Sequence, residues 1–200
     1  MKAAIIFNPH AGTKDLQAQI REAGDYLQTQ NWDVAWQETA YAGHATELAQ
    51  EAAHRNDDVA IAVGGDGTVN EVMNGLVGSN TALGILPAGT GNVFAAEINL
   101  PTPYPLPVPD DALKKAAEAL NDFAAEIHLP TPHPLPVPDH ALKKAAEVLT
   151  QGSIKQIDIA KVTFHDGQSR HFMLWAGVGL DSTISRTFEL DRRDHPERKA

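Results

Sequence analysis

Two glycine-rich stretches hold the residues best suited to chemistry. Gly64-Gly65-Asp66-Gly67-Thr68 places three glycines, a carboxylate and a hydroxyl in five positions, directly after the apolar run Val59 to Val63. Glycine lets backbone N–H groups approach an anion closely, and a helix opening at that point adds partial positive charge. The combination suits phosphate. Asp66 sharpens the reading, because a carboxylate beside a polyphosphate repels it unless a divalent cation lies between them or the carboxylate takes a proton. The second stretch, Pro87-Ala88-Gly89-Thr90-Gly91-Asn92, again follows an apolar run, Leu83 to Leu86. Thr90 can offer a hydroxyl and Asn92 an amide to the same ligand. This loop lacks the third glycine and the downstream acid of a dinucleotide fingerprint, and the chain has no Gly-x-x-x-x-Gly-Lys-Ser/Thr, so it is not a P-loop protein. Asn8-Pro9-His10-Ala11-Gly12 closes the first apolar run and by itself reads as a turn that opens a helix.

These loops must be positioned by a regular frame, and the hydropathy pattern supplies one. Ala3 to Phe7, Asp33 to Gln37, Val59 to Val63 and Leu83 to Leu86 read as short strands. Thr13 to Gln30, Gly43 to Asn56 and Asn70 to Val77 read as helices, the first with Leu16, Ile20, Ala23 and Leu27 on one face and the second with Ala45, Leu48, Ala49 and Ala52 inward. Strands alternating with helices imply an α/β fold, a parallel sheet covered on both faces. Ligands of such sheets bind at the carboxyl ends of strands, which is where the loops fall.

A tandem repeat follows. Residues 92–120 and 121–149 match at 24 of 29 positions, differing at Val93/Asp122, Asn99/His128, Tyr104/His133, Asp111/His140 and Ala119/Val148. Ten of the thirteen prolines lie in these copies, so each copy has an extended stretch. Each stretch leads into a short helix, Ala112 to Leu120 and Ala141 to Leu149, with Asp110 and Asp139 as expected N-caps. Two copies are too few for a solenoid. One domain offers one docking site, so one copy docks and the other loops out or docks on a neighbouring molecule. His128, His133 and His140 lie in the second copy without metal-ligand spacing and read as solvated. Trp32, Trp36 and Trp175 read as core or interface residues. His10 and His44 lie near the expected cleft, each with a turn role as the simpler account.

Beyond Gly152 the pattern changes. Ile154 to Val162 and Ser169 to Ala176 read as strands joined by the turn His165-Asp166-Gly167. The expected division is an α/β domain over 1–152 and the incomplete start of an antiparallel β domain over 153–200, which ends in the charged stretch Asp191 to Ala200. The chain has no cysteine, which excludes disulfides, thiolate metal sites and a cysteine nucleophile, and fits a reducing compartment. The formal net charge of −10 argues against nucleic acid or an anionic membrane as a partner through charge alone. The opening apolar run is too short for a signal peptide and no stretch reaches membrane-span length, so the expected location is the cytoplasm, with transient peripheral visits to a membrane.

Taken in order, Asn8-Pro-His-Ala-Gly12, Thr39 with Gly43-His44-Ala45, Gly64-Gly-Asp-Gly-Thr-Val-Asn-Glu71 and Pro87-Ala-Gly-Thr-Gly-Asn92 resemble the diacylglycerol kinase catalytic-domain family, which also includes sphingosine and ceramide kinases. The resemblance covers residues 1–98 and resumes near Ile157-Asp158 and at Gly177-Val178-Gly179-Leu180-Asp181. It implies a phosphofructokinase-like nucleotide domain followed by a β-rich domain. It further implies magnesium-dependent transfer of the ATP γ-phosphate to a lipid hydroxyl, with diacylglycerol the expected acceptor. By that carry-over ATP meets Asn8, Pro9, His10, Ala11, Gly12, Thr39, Gly64, Gly65, Asp66, Gly67, Thr68, Val69, Asn70, Glu71 and Thr90, and Asp66 acts catalytically near the phosphates and magnesium. Many relatives carry Asp where this chain has Val93; Asp122 follows Asn121 only in the second copy. The family's catalytic base and several magnesium ligands are expected beyond residue 200, so residues 1–200 alone are expected to turn over little. Two other readings stay open. One is a kinase of nicotinamide dinucleotide that shares the Gly-Gly-Asp-Gly-Thr loop. The other is a non-catalytic assembly module, which could be a homodimer, using the proline-rich arms.

Overall fold

The computed structural model describes residues 1–9, 14–89, 91–101 and 140–173. His10, Ala11, Gly12, Thr90, Asp110, Asp122, His128, His133, Asp139, Trp175, the Ala112–Leu120 segment, the Gly177–Asp181 motif and the Asp191–Ala200 stretch lie outside the described residues. The chain forms two compact units, Met1–Ile157 and Asp158–Ala200.

In the first unit, β1 (Lys2–Phe7), β2 (Asp33–Glu38), β3 (Val59–Gly64) and β4 (Ala82–Pro87) form one parallel sheet in the order β2-β1-β3-β4. The helices are α1 (Lys14–Thr29), α2 (His44–His54), α3 (Asp66–Leu76), α4 (Val93–Glu97) and α5 (Ala141–Gln151). Alternation along β1 and β3 explains the layers. Ala3, Ile5, Val59, Ile61 and Val63 face one way, into a core shared with Leu16, Ile20, Ala23 and Leu27 of α1 and with Leu142, Ala145 and Ala146 of α5. Ala4, Ile6, Ala60 and Ala62 face the other way and are fully buried, on the side covered by α2 and α3. Gly75 lets those two helices meet closely, since a Cβ there would lie 2.4 Å from the carbonyl oxygen of Thr46.

Position in the sheet decides exposure. All six residues of central β3 are buried, whereas none of the six in edge strand β2 is. Trp36 of β2 is partly exposed and sets its ring edge-on to Phe7, with centroids 5.7 Å apart. Its indole also lies over Gly24 of α1, where a Cβ would sit 2.2 Å from Trp36 Cζ2. Trp32 packs partly buried against the main core, so both described tryptophans are packing residues.

The expected elements that fall on described residues are present with shifted ends. The third helix starts at Asp66 rather than Asn70, so the glycine loop is itself its first turn. The short helix α4 was not expected, and its cap Asn92 adopts a left-handed φ of 52°. The cap of α5 is His140, also left-handed at φ 61°, with no side-chain cap hydrogen bond.

In the second unit the described part is an antiparallel hairpin, β5 (Ala160–Thr163) with β6 (Ser169–Phe172), with Ala160 opposite Phe172 and Thr163 opposite Ser169. Gly167 sits at φ 83°, and its N–H bonds the carbonyl of Phe164 at 3.0 Å. β5 is shorter than expected: residues 154–159 carry no regular structure, and 174–176 of the expected second strand lie outside the described residues.

Candidate active site

Strand register brings the loops together. Phe7 pairs with both Val63 and Glu38, and Gly64 pairs with Pro87. The segments that begin at Asn8, Thr39, Gly65 and Ala88 therefore leave the sheet along one edge. The sheet order reverses between β1, which feeds β2, and β3, which feeds β4. A crevice at such a switch point is where open α/β sheets bind ligands.

A cavity of about 360 Å3 opens there, lined by Asn8, Thr39, Ala40, Tyr41, Ala42, Ala45, Gly67, Thr68 and Glu71. Five of the residues expected from sequence thus line one cavity: Asn8, Thr39, Gly67, Thr68 and Glu71. The α3 N-cap, Gly65, makes no side-chain cap hydrogen bond. First-turn backbone N–H groups of α3, with the dipole behind them, are thereby left to suit an anion. Gly64, at the end of β3, has its Cα beside Thr68, where a Cβ would lie 2.4 Å from Oγ1.

The other expected residues take different positions. Val69 is buried in the core. Asn70 accepts at its carbonyl from Asn74 Nδ2, 2.8 Å away. Pro9 offers its carbonyl to Gln17 Nε2 at 2.9 Å. Neither Asp66 nor Pro9 lines the cavity. Instead the Asp66 carboxylate receives the N–H of Val93 on Oδ2 and that of Phe94 on Oδ1, both at 3.0 Å. It caps α4 from the first turn of α3, and ties the second glycine loop to the first.

That loop is closed on itself as well. Asn92 accepts the Gly89 N–H at 3.0 Å and donates its amide to the Gly89 carbonyl at 2.6 Å. Asn92 is buried. The expectation that its amide faces a ligand is corrected: the backbone of Gly89 takes up both ends of the amide. Gly89 presses on the first loop so closely that a Cβ would sit 2.3 Å from Gly65 Cα.

Sequence reasoning missed the segment Ala40-Tyr41-Ala42. Tyr41 is exposed and lines the cavity, stacked on His44 with centroids 4.5 Å apart. Its hydroxyl donates to Glu47 Oε2 at 2.6 Å. That bond holds the phenol above its ordinary 10.0, with desolvation adding to it. His44 Nδ1 accepts the Ala40 N–H at 3.0 Å, so His44 organises this loop. The available signal was positional: residues 40–42 bridge a strand and a helix at the ligand edge.

The anion fit is met by Gly67, Thr68 and the uncapped helix start. Magnesium commonly uses one or two carboxylates together with substrate phosphates and water. Glu71 on the cavity wall suits such a role, and the described residues contain no group of three or more His, Cys, Asp or Glu that could hold a metal alone.

A four-stranded parallel α/β unit with glycine loops and a cavity at its switch point defines an open α/β domain with a crevice where such sheets bind ligands. Residues 2–121 match the diacylglycerol kinase catalytic domain, and the chain belongs to that family. It is 36% identical over 122 residues to the diacylglycerol kinase of Bacillus subtilis (strain 168), a match spanning 60% of this chain and 38% of that protein. With the diacylglycerol kinase of Staphylococcus aureus (strain MRSA252) it shares 37% over 102 residues, 50% of this chain and 32% of the other. A crystal structure of a diacylglycerol kinase from Bacillus anthracis str. Sterne aligns with a TM-score of 0.57 at 26% identity, covering 86% of this chain and 45% of that one. The chain therefore spans less than half the length of these relatives. No described helix is long and apolar enough to cross a membrane.

Proposed function

We propose that the cavity between β1 and β3 binds ATP with magnesium, and that the chain is the nucleotide-binding part of a kinase that passes the γ-phosphate to a lipid hydroxyl, with diacylglycerol as acceptor. The observation that carries the reading is the meeting of Asn8, Thr39, Gly67, Thr68 and Glu71 around one cavity at the switch point. The α3 start and the Thr68 hydroxyl hold phosphate oxygens. Thr39 and Asn8 orient the nucleotide. Glu71 holds magnesium, which when bound neutralises phosphate charge. Phosphoryl transfer needs mainly such positioning and charge neutralisation.

Asp66 serves in this scheme by holding the two glycine loops in register through α4. With its oxygens turned to α4, the described loops give no obvious carboxylate to take the acceptor's proton, and residues 1–200 alone are expected to bind nucleotide weakly and turn over little. A lipid acceptor requires a transient peripheral visit to the membrane from the cytoplasm, and the net charge of −10 makes that contact apolar rather than electrostatic.

Nucleotide binding is tested by calorimetric titration of ATP with magnesium, comparing the native chain with Thr68→Val and Glu71→Gln. Both variants should bind at least about tenfold more weakly, as expected for lost hydrogen bonds to charged groups. Unchanged affinity in both would sink the site assignment. Complementing the chain with the remainder of a relative's second domain and offering diacylglycerol or NAD then separates the lipid reading from a dinucleotide kinase.

A further inference from the structure

The repeat poses a question that the seat of α5 answers in part. The second copy is the one seated: Ala141, Leu142, Ala145 and Ala146 of α5 are buried against α1 and β4, and Leu149 packs partly buried beside them. Every one of these residues has an identical counterpart 29 positions earlier: Ala112, Leu113, Ala116, Ala117 and Leu120. The apolar contact surface is therefore carried twice by one chain.

The two copies differ at only two positions near this seat. Val148 corresponds to Ala119, and Val148 is largely exposed. His140 corresponds to Asp111, and here the contact is polar. His140 Nδ1 lies 2.9 Å from both carboxylate oxygens of Glu22 on α1. Lys143 Nζ adds a second cationic contact at 3.4 Å from Glu22 Oε1, but its counterpart, Lys114, is unchanged. With the first copy in the seat, Asp111 would bring a like charge to Glu22 in place of a partner.

We propose that the α1–β4 seat is a binding surface for either copy of the repeated helix, that Ala112–Leu120 of the same chain can occupy it in place of α5, and that Glu22 sets the preference for α5. Pro101 ends the described part of the first copy, and the ten residues 102–111 that follow can extend about 33 Å. The preference is modest, because exposed charge contacts contribute at most about 1 kcal/mol, near fivefold in occupancy. The inference does not depend on the kinase reading.

The absence of native cysteine allows a direct test in the full chain. Two double variants, E22C/K143C and E22C/K114C, are treated with a short bismaleimide. Replacing Glu22 removes the discrimination, so both pairs should cross-link within one molecule. Cross-linking of the first pair without the second, or of the second only between molecules, overturns the proposal. An independent arm deletes residues 121–149, leaving the first copy as the sole ligand. The shortened chain should unfold cooperatively in urea, and Asp111→His should raise its folding equilibrium about fivefold. The same substitution in the full chain, where α5 already fills the seat, should raise it less than about twofold. A shortened chain without cooperative unfolding, or one indifferent to Asp111→His, also counts against the seat's dual use.

Discussion

At the carboxyl edge of the sheet, α4 is held through its own backbone: its Val93 and Phe94 N–H groups bond the Asp66 carboxylate, and beside them the Gly89 backbone packs on Gly65. On α1 and β4, α5 is held by side chains, with Leu142, Ala145 and Ala146 fully buried and charges confined to the margin. The first arrangement tolerates almost no change of shape, because backbone cannot yield. The second depends on a pattern of apolar residues that a short segment can reproduce elsewhere in the chain, and this chain does reproduce it. A ligand site gains from the first kind of contact, since positioned donors must stay positioned. A docking seat can be built from the second.

The contrast is tested most sharply by truncating the two sides of the same seat. Leu16 of α1 is fully buried and has no duplicate, so Leu16→Ala should cost about 2–5 kcal/mol. Leu142 is equally buried, but Leu113 stands ready in the first copy. If the first copy can take the seat, Leu142→Ala should cost no more than the preference between copies, about 1 kcal/mol. Equal losses in urea denaturation would mean that the seat cannot exchange its helix.

Gly89→Ala probes the stiff side. The added Cβ would meet Gly65 Cα at 2.3 Å and Gly65 N at 2.8 Å, with no flexible side chain able to move away. We expect a loss of about 1–3 kcal/mol, as for an overpacked interior. Nucleotide affinity should fall further than stability alone explains, because the two loops must separate. A variant with native affinity would show that the glycine contact does not position the site.

Asp66→Asn asks how much of that edge is electrostatic. The amide keeps one acceptor of the two and loses the charge at the α4 N-terminus. A loss of about 1–2 kcal/mol is expected, in the range of a lost helix cap. Asp66→Ala should weaken nucleotide binding in step with loosening of α4, read by hydrogen exchange at Val93 and Phe94. Weaker binding with those amides fully protected would move Asp66 from the frame to the ligand.

The sequence revealed the frame well and the couplings poorly, for a physical reason. Period-two and helical patterns report burial, so β1, β3, α1 and α2 could be read within a residue or two of their ends. The convergence of Asn8, Gly67 and Thr68 followed from the rule for parallel sheets. Pairings between distant positions leave no such periodicity: Asp66 with Val93 and Glu22 with His140 depend on three-dimensional register. The start of α3 was misplaced because its glycines favour loops in isolation, whereas in the fold the helix begins at Asp66.

The smallest expected effect concerns charge at the seat. The hydrogen bond from His140 holds the Glu22 carboxyl below its ordinary 4.5, with Lys143 assisting and partial desolvation opposing. A carboxyl lowered on folding contributes stability above its unfolded value and loses that contribution as pH falls through the lowered folded value. The melting temperature of the native chain should therefore drop slightly more than that of Glu22→Gln as pH falls from about 6 to about 3. The difference should be only a few tenths of a kcal/mol, since the pair is partly solvated. It should shrink in His140→Asp, where Glu22 faces a like charge, and if the gap persisted unchanged there, the acid sensitivity would belong to another carboxylate and Glu22 would lose its role as selector.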